Sequence, residues 1–161
     1  MAVTPTREIP FDEDDLTPIV VVLADLARTG RGWVNFLPEV EEGHDPPTRN
    51  PVVAIFSARG DPVPLATWSA PAKPGGRATL GITHGTGPKA LARLDEYGVG
   101  LPDGWLKVAD HPRRGLVITT PRTADMATED VDQALWWLLA ASHVMSVVPL
   151  TGAWLARVFE P

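Results

Sequence analysis

The chain has 161 residues, 44% of them apolar and 21% charged, with a net charge of −6 and no cysteine. This is globular composition at the size of one ordinary domain, and it excludes disulfides, thiolate metal sites and a thiol nucleophile. The longest unbroken apolar run, Ala134 to Ala141, falls far short of the ~20 residues of a membrane helix, and an acidic total disfavours general binding to nucleic acid or to anionic membranes.

Met1 to Asp15 carries five carboxylates and one arginine, unlike a secretory or mitochondrial leader. We expect an acidic, mobile tail over about residues 1–13 and a cytoplasmic location. Thr17-Pro18 reads as an N-cap followed by proline at the first helical position, and Gly30 as the left-handed stop, which bounds a helix at about 18–28. Its core face is Ile19, Val22, Leu23 and Leu26, although the β-branched run 19–22 also leaves a strand open. Four strand-like runs follow at 33–38, 52–58, 63–69 and 77–83. The last alternates most clearly, with Ala78, Leu80 and Ile82 on one face. Turn formers crowd Glu39 to Pro51 and Ala70 to Gly76, both short enough to be surface loops inside a single domain, 1–161.

A second helix is expected at 88–97, with Pro88 in its first turn, Gly98 as its stop and an apolar stripe of Ala90, Leu91, Leu94 and Tyr97. Strands at 105–109 and 115–120 flank a turn over residues 110–114. Thr128 reads as the cap of a third helix at about 129–145, with Glu129 and Asp130 against its positive end, and a strand at 153–159 closes the chain. The order α-β-β-β-β-α-β-β-α-β, with short turns between neighbouring strands, predicts an α+β fold: a largely antiparallel sheet of six to seven strands with three helices packed on it. Strict βαβ alternation is missing, which excludes a Rossmann-like fold.

Six tryptophans are many for this length. Trp136 and Trp137 are adjacent, so on a helix they diverge by about 100°. With Leu135, Leu138 and Leu139 beside them, the middle of the third helix is apolar almost all round. Such a helix is expected to be covered on every side, by its own chain or by another. Leu135, Trp136, Trp137 and Leu139 are therefore candidate interface residues for a homodimer or for another protein.

Charge is uneven. Residues 1–45 hold ten carboxylates against three basic side chains, while the span from Asp61 to Asp95 has no carboxylate between its ends and four cations, Lys73, Arg77, Lys89 and Arg93. Within that span, Thr79 to Leu91 reads as strand, glycine-rich loop and helix start. His84, Gly85, Thr86, Gly87, Lys89 and Arg93 are candidate residues for a small phosphate- or carboxylate-bearing ligand. Free amides and the helix dipole favour an anion there, glycines let it approach, and His84 has the chemistry of a general acid or base near neutrality. The spacing lacks the Gly-Lys-Ser/Thr of a Walker A loop, and Pro88 removes one amide donor.

His84-Gly85-Thr86-Gly87 is similar to the His-Gly-x-Gly motif of Smr-type nuclease domains. That resemblance implies nucleic-acid cleavage with His84 taking part. It covers about ten residues; the upstream Leu-Asp-Leu-His/Arg-Gly segment of that family is missing here. The order of elements is also similar to that of small acidic secretion-chaperone-like domains, which implies binding of partner proteins as dimers. No resemblance extends over the whole chain.

Other constellations read as structure. Glu41, Glu42, His44 and Asp45 are solvated charges in a turn-rich loop before they are metal ligands, Asp110-His111 is a hairpin turn before it is an acid–base pair, and Arg113 and Arg114 cap that hairpin. His143 is a cation suited to the end of the third helix. No cofactor, metal or membrane motif is present. The arginine-rich basic set, eleven Arg to three Lys, reads as high-GC bacterial coding. The leading expectation is a non-catalytic binding or regulatory domain that self-associates. The alternative is an enzyme or binding protein for a small anion.

Overall fold

The computed structural model describes residues 3–46, 57, 59–122 and 128–161. Its described strands form one antiparallel sheet: β1 (Arg7–Asp12), β2 (Trp33–Val40), β3 (Leu65–Ser69), β4 (Thr79–Thr83), β5 (Leu106–His111), β6 (Gly115–Thr119) and β7 (Leu150–Phe159), in the spatial order β1-β7-β2-β3-β4-β6-β5. Among the described residues three helices accompany it: α1 (Thr17–Thr29), α2 (Ala90–Glu96) and α3 (Thr128–Met145). The fold is the α+β arrangement expected from the sequence.

Period-two patterning fixes which face is buried. Val158, Val34, Trp68, Leu80 and Ile118 lie in register across five strands, and Ala156, Phe36, Ala66, Ile82 and Leu116 form a second row. All ten are buried. A one-residue slip of any strand would turn its members of both rows to the opposite face, so this pattern holds the register. Helix α3 packs over β3 and β4, with α1 and α2 against its flanks.

Two readings of the N-terminal region change. The expected tail contains β1, whose Arg7 to Asp12 pair with Val158 to Ala153. Phe11 provides the reason: it is buried, edge-on to Phe36 and stacked with Trp154. The cap of α1 also shifts. Leu16 occupies the N-cap position without a side-chain hydrogen bond, and the Asp15 carboxylate accepts from the Thr17 amide at 3.2 Å. Gly30 does end the helix in the left-handed conformation, its N–H donating to the Leu26 carbonyl. The β-branched run 19–22 is helical because Ile19, Val20 and Val22 are buried on it.

Further along, the strand expected at 52–58 lies outside the described residues except for Ser57. Helix α2 starts two residues later than expected, at Ala90, since Lys89 is left-handed at φ 63°. The β5–β6 hairpin turns at 112–114, which leaves Asp110 and His111 inside β5. Edge strand β5 exposes Leu106 and Val108 but carries Lys107 and a register irregularity between Lys107 and Ala109, both of which discourage further strand pairing.

Candidate functional site

The loop from His84 to Lys89 is closed by its own chain. His84 is fully buried. Its Nδ1 lies 3.0 Å from the Thr86 hydroxyl, and its Nε2 has no hydrogen-bond partner among the described residues. Glycines bring two backbone segments together here: a β-carbon on Gly60 would collide with the His84 carbonyl, and one on Gly85 would press on the Asp61 carbonyl. Burial lowers the His84 pKa below its ordinary 6.5; the nearby Asp110 charge opposes that shift and Arg93 adds to it.

The amides at the start of α2 already hold an anion. One Asp110 carboxylate oxygen accepts from the Ala90 N–H and the other from the Leu91 N–H, each at 3.2 Å. Arg93 is likewise engaged: its Nε donates to the Val144 carbonyl in the last turn of α3, and its guanidinium lies 5.3 Å from the centre of the Tyr97 ring. Of the candidate anion ligands, Lys89 alone is exposed, and its ammonium makes no hydrogen bond or ion pair with a described residue. The free amides expected at this helix start are occupied by a side chain of the same chain. Missing from the sequence pattern is that β5 brings Asp110, twenty residues further on, to fill them.

The acid–histidine pair also separates. Asp110 turns to α2, whereas His111 Nδ1 accepts from the Arg113 and Arg114 amides and shapes the hairpin turn. Among the described residues no group of three or more His, Asp or Glu is placed to hold a metal, and Glu41 to Asp45 are exposed. His143 bonds to Glu13 at 2.6 Å.

The expected interface residues divide sharply. Leu135, Trp137 and Leu139 lie in the chain's own core, and the Trp137 indole, tilted against Trp105 at 5.6 Å, donates to the Gly100 carbonyl. Trp136 is 51% exposed. The expectation that α3 is covered on all sides fails: Gln133, Trp136 and His143 are exposed, and Trp136 is the large apolar side chain among them.

The opening left between α1 and α3 is a cleft of about 490 Å³. Leu16 and Val20 are its buried members, Trp136 and the exposed Val21 its outer apolar surface, and Glu13, Asp14, Asp15 and Asp132 its charges. Asp132 and Trp136 are four residues apart on α3, hence on one face; Thr17, Val20 and Val21 match them from α1. Among the described residues, no Lys, Arg or His side chain lines the cleft. Glu13 accepts from His143 and from the Trp154 indole, and Asp15 serves the Thr17 amide. The side-chain carboxylates of Asp14 and Asp132 have no hydrogen bond or ion pair with any described residue. Composition alone points to Trp136 but not to this cleft: Glu13 to Asp15 sit over a hundred residues from Asp132, and only the packing of α1 on α3 joins them.

The chain matches no protein-family model, no curated protein and no solved structure in these comparisons. The reading of its function therefore rests on geometry. Among the described residues, no helix is long and apolar enough to cross a membrane.

Proposed function

We propose that this chain is a non-catalytic binding domain that docks a segment of another protein in the cleft between α1 and α3. One observation carries the reading: an indole with half its surface in solvent lines a cavity with a buried apolar floor, on a helix whose other large apolar side chains are buried or partly buried. Exposed tryptophans are enriched at the centres of protein contacts because they bring large area with few rotors. Trp136 and Val21 together offer on the order of 200 Å² of apolar surface, about a quarter of the ~800 Å² that each side of a stable interface buries. That favours an inserted segment over a broad two-fold dimer.

Self-association is tested directly by sedimentation at tens of micromolar. A dimer that dissociates in Trp136→Ala makes a second copy the partner; a monomer leaves a different protein as the partner. The small-anion reading has less behind it, since Asp110 takes the amides such a ligand needs. A thermal-shift series with phosphate-bearing metabolites is expected to be flat for the wild type, and a shift that disappears in Lys89→Ala would restore that reading.

A further inference from the structure

We infer that the segment docked in this cleft is cationic, an arginine- or lysine-bearing peptide that also inserts an aliphatic side chain. The inference rests on the docking reading above and adds the chemistry of the partner. Among the described residues four carboxylates and no Lys, Arg or His line the cleft, and the carboxylates come from two parts of the chain: Glu13, Asp14 and Asp15 from the approach to α1, and Asp132 from α3. Local sequence composition does not explain that convergence. Two of the four, Glu13 and Asp15, have partners within the fold. Asp14 and Asp132 do not, so negative potential remains at the mouth, where no described side chain neutralises it.

An indole amid carboxylates selects for a cation twice over. A guanidinium or ammonium within about 6 Å of the Trp136 ring is attracted by the electron-rich face of the ring. The same group reaches Asp132, one helical turn away, for a charge-assisted hydrogen bond. Arginine suits the pair best, since its planar head stacks on the ring while its edge meets a carboxylate. The aliphatic part of the ligand follows from the floor: Leu16 and Val20 provide an apolar base that a cation alone leaves unfilled. An acidic or purely polar segment gains neither contact and meets repulsion from Asp14 and Asp132.

The test is a selection of random dodecapeptides displayed on phage, run in parallel on the full chain and on Trp136→Ala, with each enriched consensus resynthesised and titrated calorimetrically. The expected result is a consensus with at least one Arg or Lys beside Leu, Ile or Val, not recovered on Trp136→Ala. Its affinity should fall about two- to fivefold in Asp132→Asn, as an exposed ion pair predicts, and fall again as salt is raised. An uncharged apolar consensus that still needs Trp136 overturns the cationic partner and leaves docking intact. The same consensus on both proteins, or no enrichment on either, overturns both. Unchanged melting of Asp132→Asn keeps loss of fold from being read as loss of binding.

Discussion

The start of α2 and the cleft between α1 and α3 pose the same electrostatic problem with opposite signs, and the chain answers only one of them. At α2, positive amide ends meet the Asp110 carboxylate, and the Arg93 cation meets a carbonyl at the end of α3. These two charges are matched from within and His84 is buried beside them, while Lys89 stays in solvent. At the cleft, carboxylates gather around an indole, and among the described residues only His143, on Glu13, meets any of them with a side chain able to carry positive charge. Internal matching is the mark of a structural node; an unmatched charge beside exposed apolar surface is a place left for something else. On the reading proposed above, the loop richer in sequence motifs is the structural one.

The adjacent tryptophans provide the largest test of that contrast. Trp137→Ala removes a buried ring, its contact with Trp105 and a hydrogen bond to the Gly100 carbonyl. About 3–5 kcal/mol of stability should be lost, seen as a large fall in chemical-denaturation midpoint. Trp136→Ala should change stability by less than ~1 kcal/mol. Equal losses would mean that Trp136 is a core residue, and the cleft would lose its claim to be a binding site.

Asp110→Ala comes next. It strips both amides at the start of α2 of their acceptor and should cost about 1–2 kcal/mol, the range of a lost helix cap or of hydrogen bonds to a charge. Asp110→Asn keeps one acceptor oxygen and should cost less. If neither substitution moves the melting temperature, the carboxylate does not hold those amides and the small-anion reading regains ground.

His84 tests the same node through pH. Burial holds its folded-state pKa below 6.5, so the unfolded chain takes up a proton first as the medium is acidified. Stability is unaffected by this residue well above pH 6.5, falls as pH drops through the unfolded value, and stops falling below the folded pKa. Melting temperatures of His84→Gln should accordingly lose less than those of the wild type between about pH 7.5 and pH 5. Parallel losses in the two proteins would remove His84 as the source.

How much of this was readable beforehand follows the range of the interactions. The buried face of β4 is legible because alternation is local: Ala78, Leu80 and Ile82 announce it within five positions, whereas the rest of the ten-residue lattice depends on strand order. Locality likewise lets Gly30 and Gly98 announce helix ends. β1 was missed because Glu8, Pro10 and Asp12 give it the composition of a solvated tail, while its anchor, Phe11, is a single residue whose partners Phe36 and Trp154 are distant in sequence. The adjacency of Trp136 and Trp137 correctly required two directions but could not say that one of them is open. That depends on where α1 crosses α3, a matter of tertiary packing. Local pattern reads Asp110 as a turn residue because its partners, the Ala90 and Leu91 amides, lie in an element that such a pattern cannot place beside β5.

The smallest effect is the most discriminating. Asp132→Asn removes a charge near the N-terminal half of α3, where a carboxylate interacts favourably with the helix dipole; that benefit fades beyond the first turn, and Asp132 is the fifth residue of the helix. Against it stands relief of repulsion among the carboxylates of the cleft, worth a few tenths of a kcal/mol at exposed sites. The two nearly cancel, so chemical denaturation should place the variant within about 0.5 kcal/mol of the wild type. A structural carboxylate behaves differently: its loss strands the donors it served, as at Asp110. A fall of ~1 kcal/mol or more in Asp132→Asn would show that Asp132 has a partner inside the fold, and the cleft would then be matched from within like the start of α2.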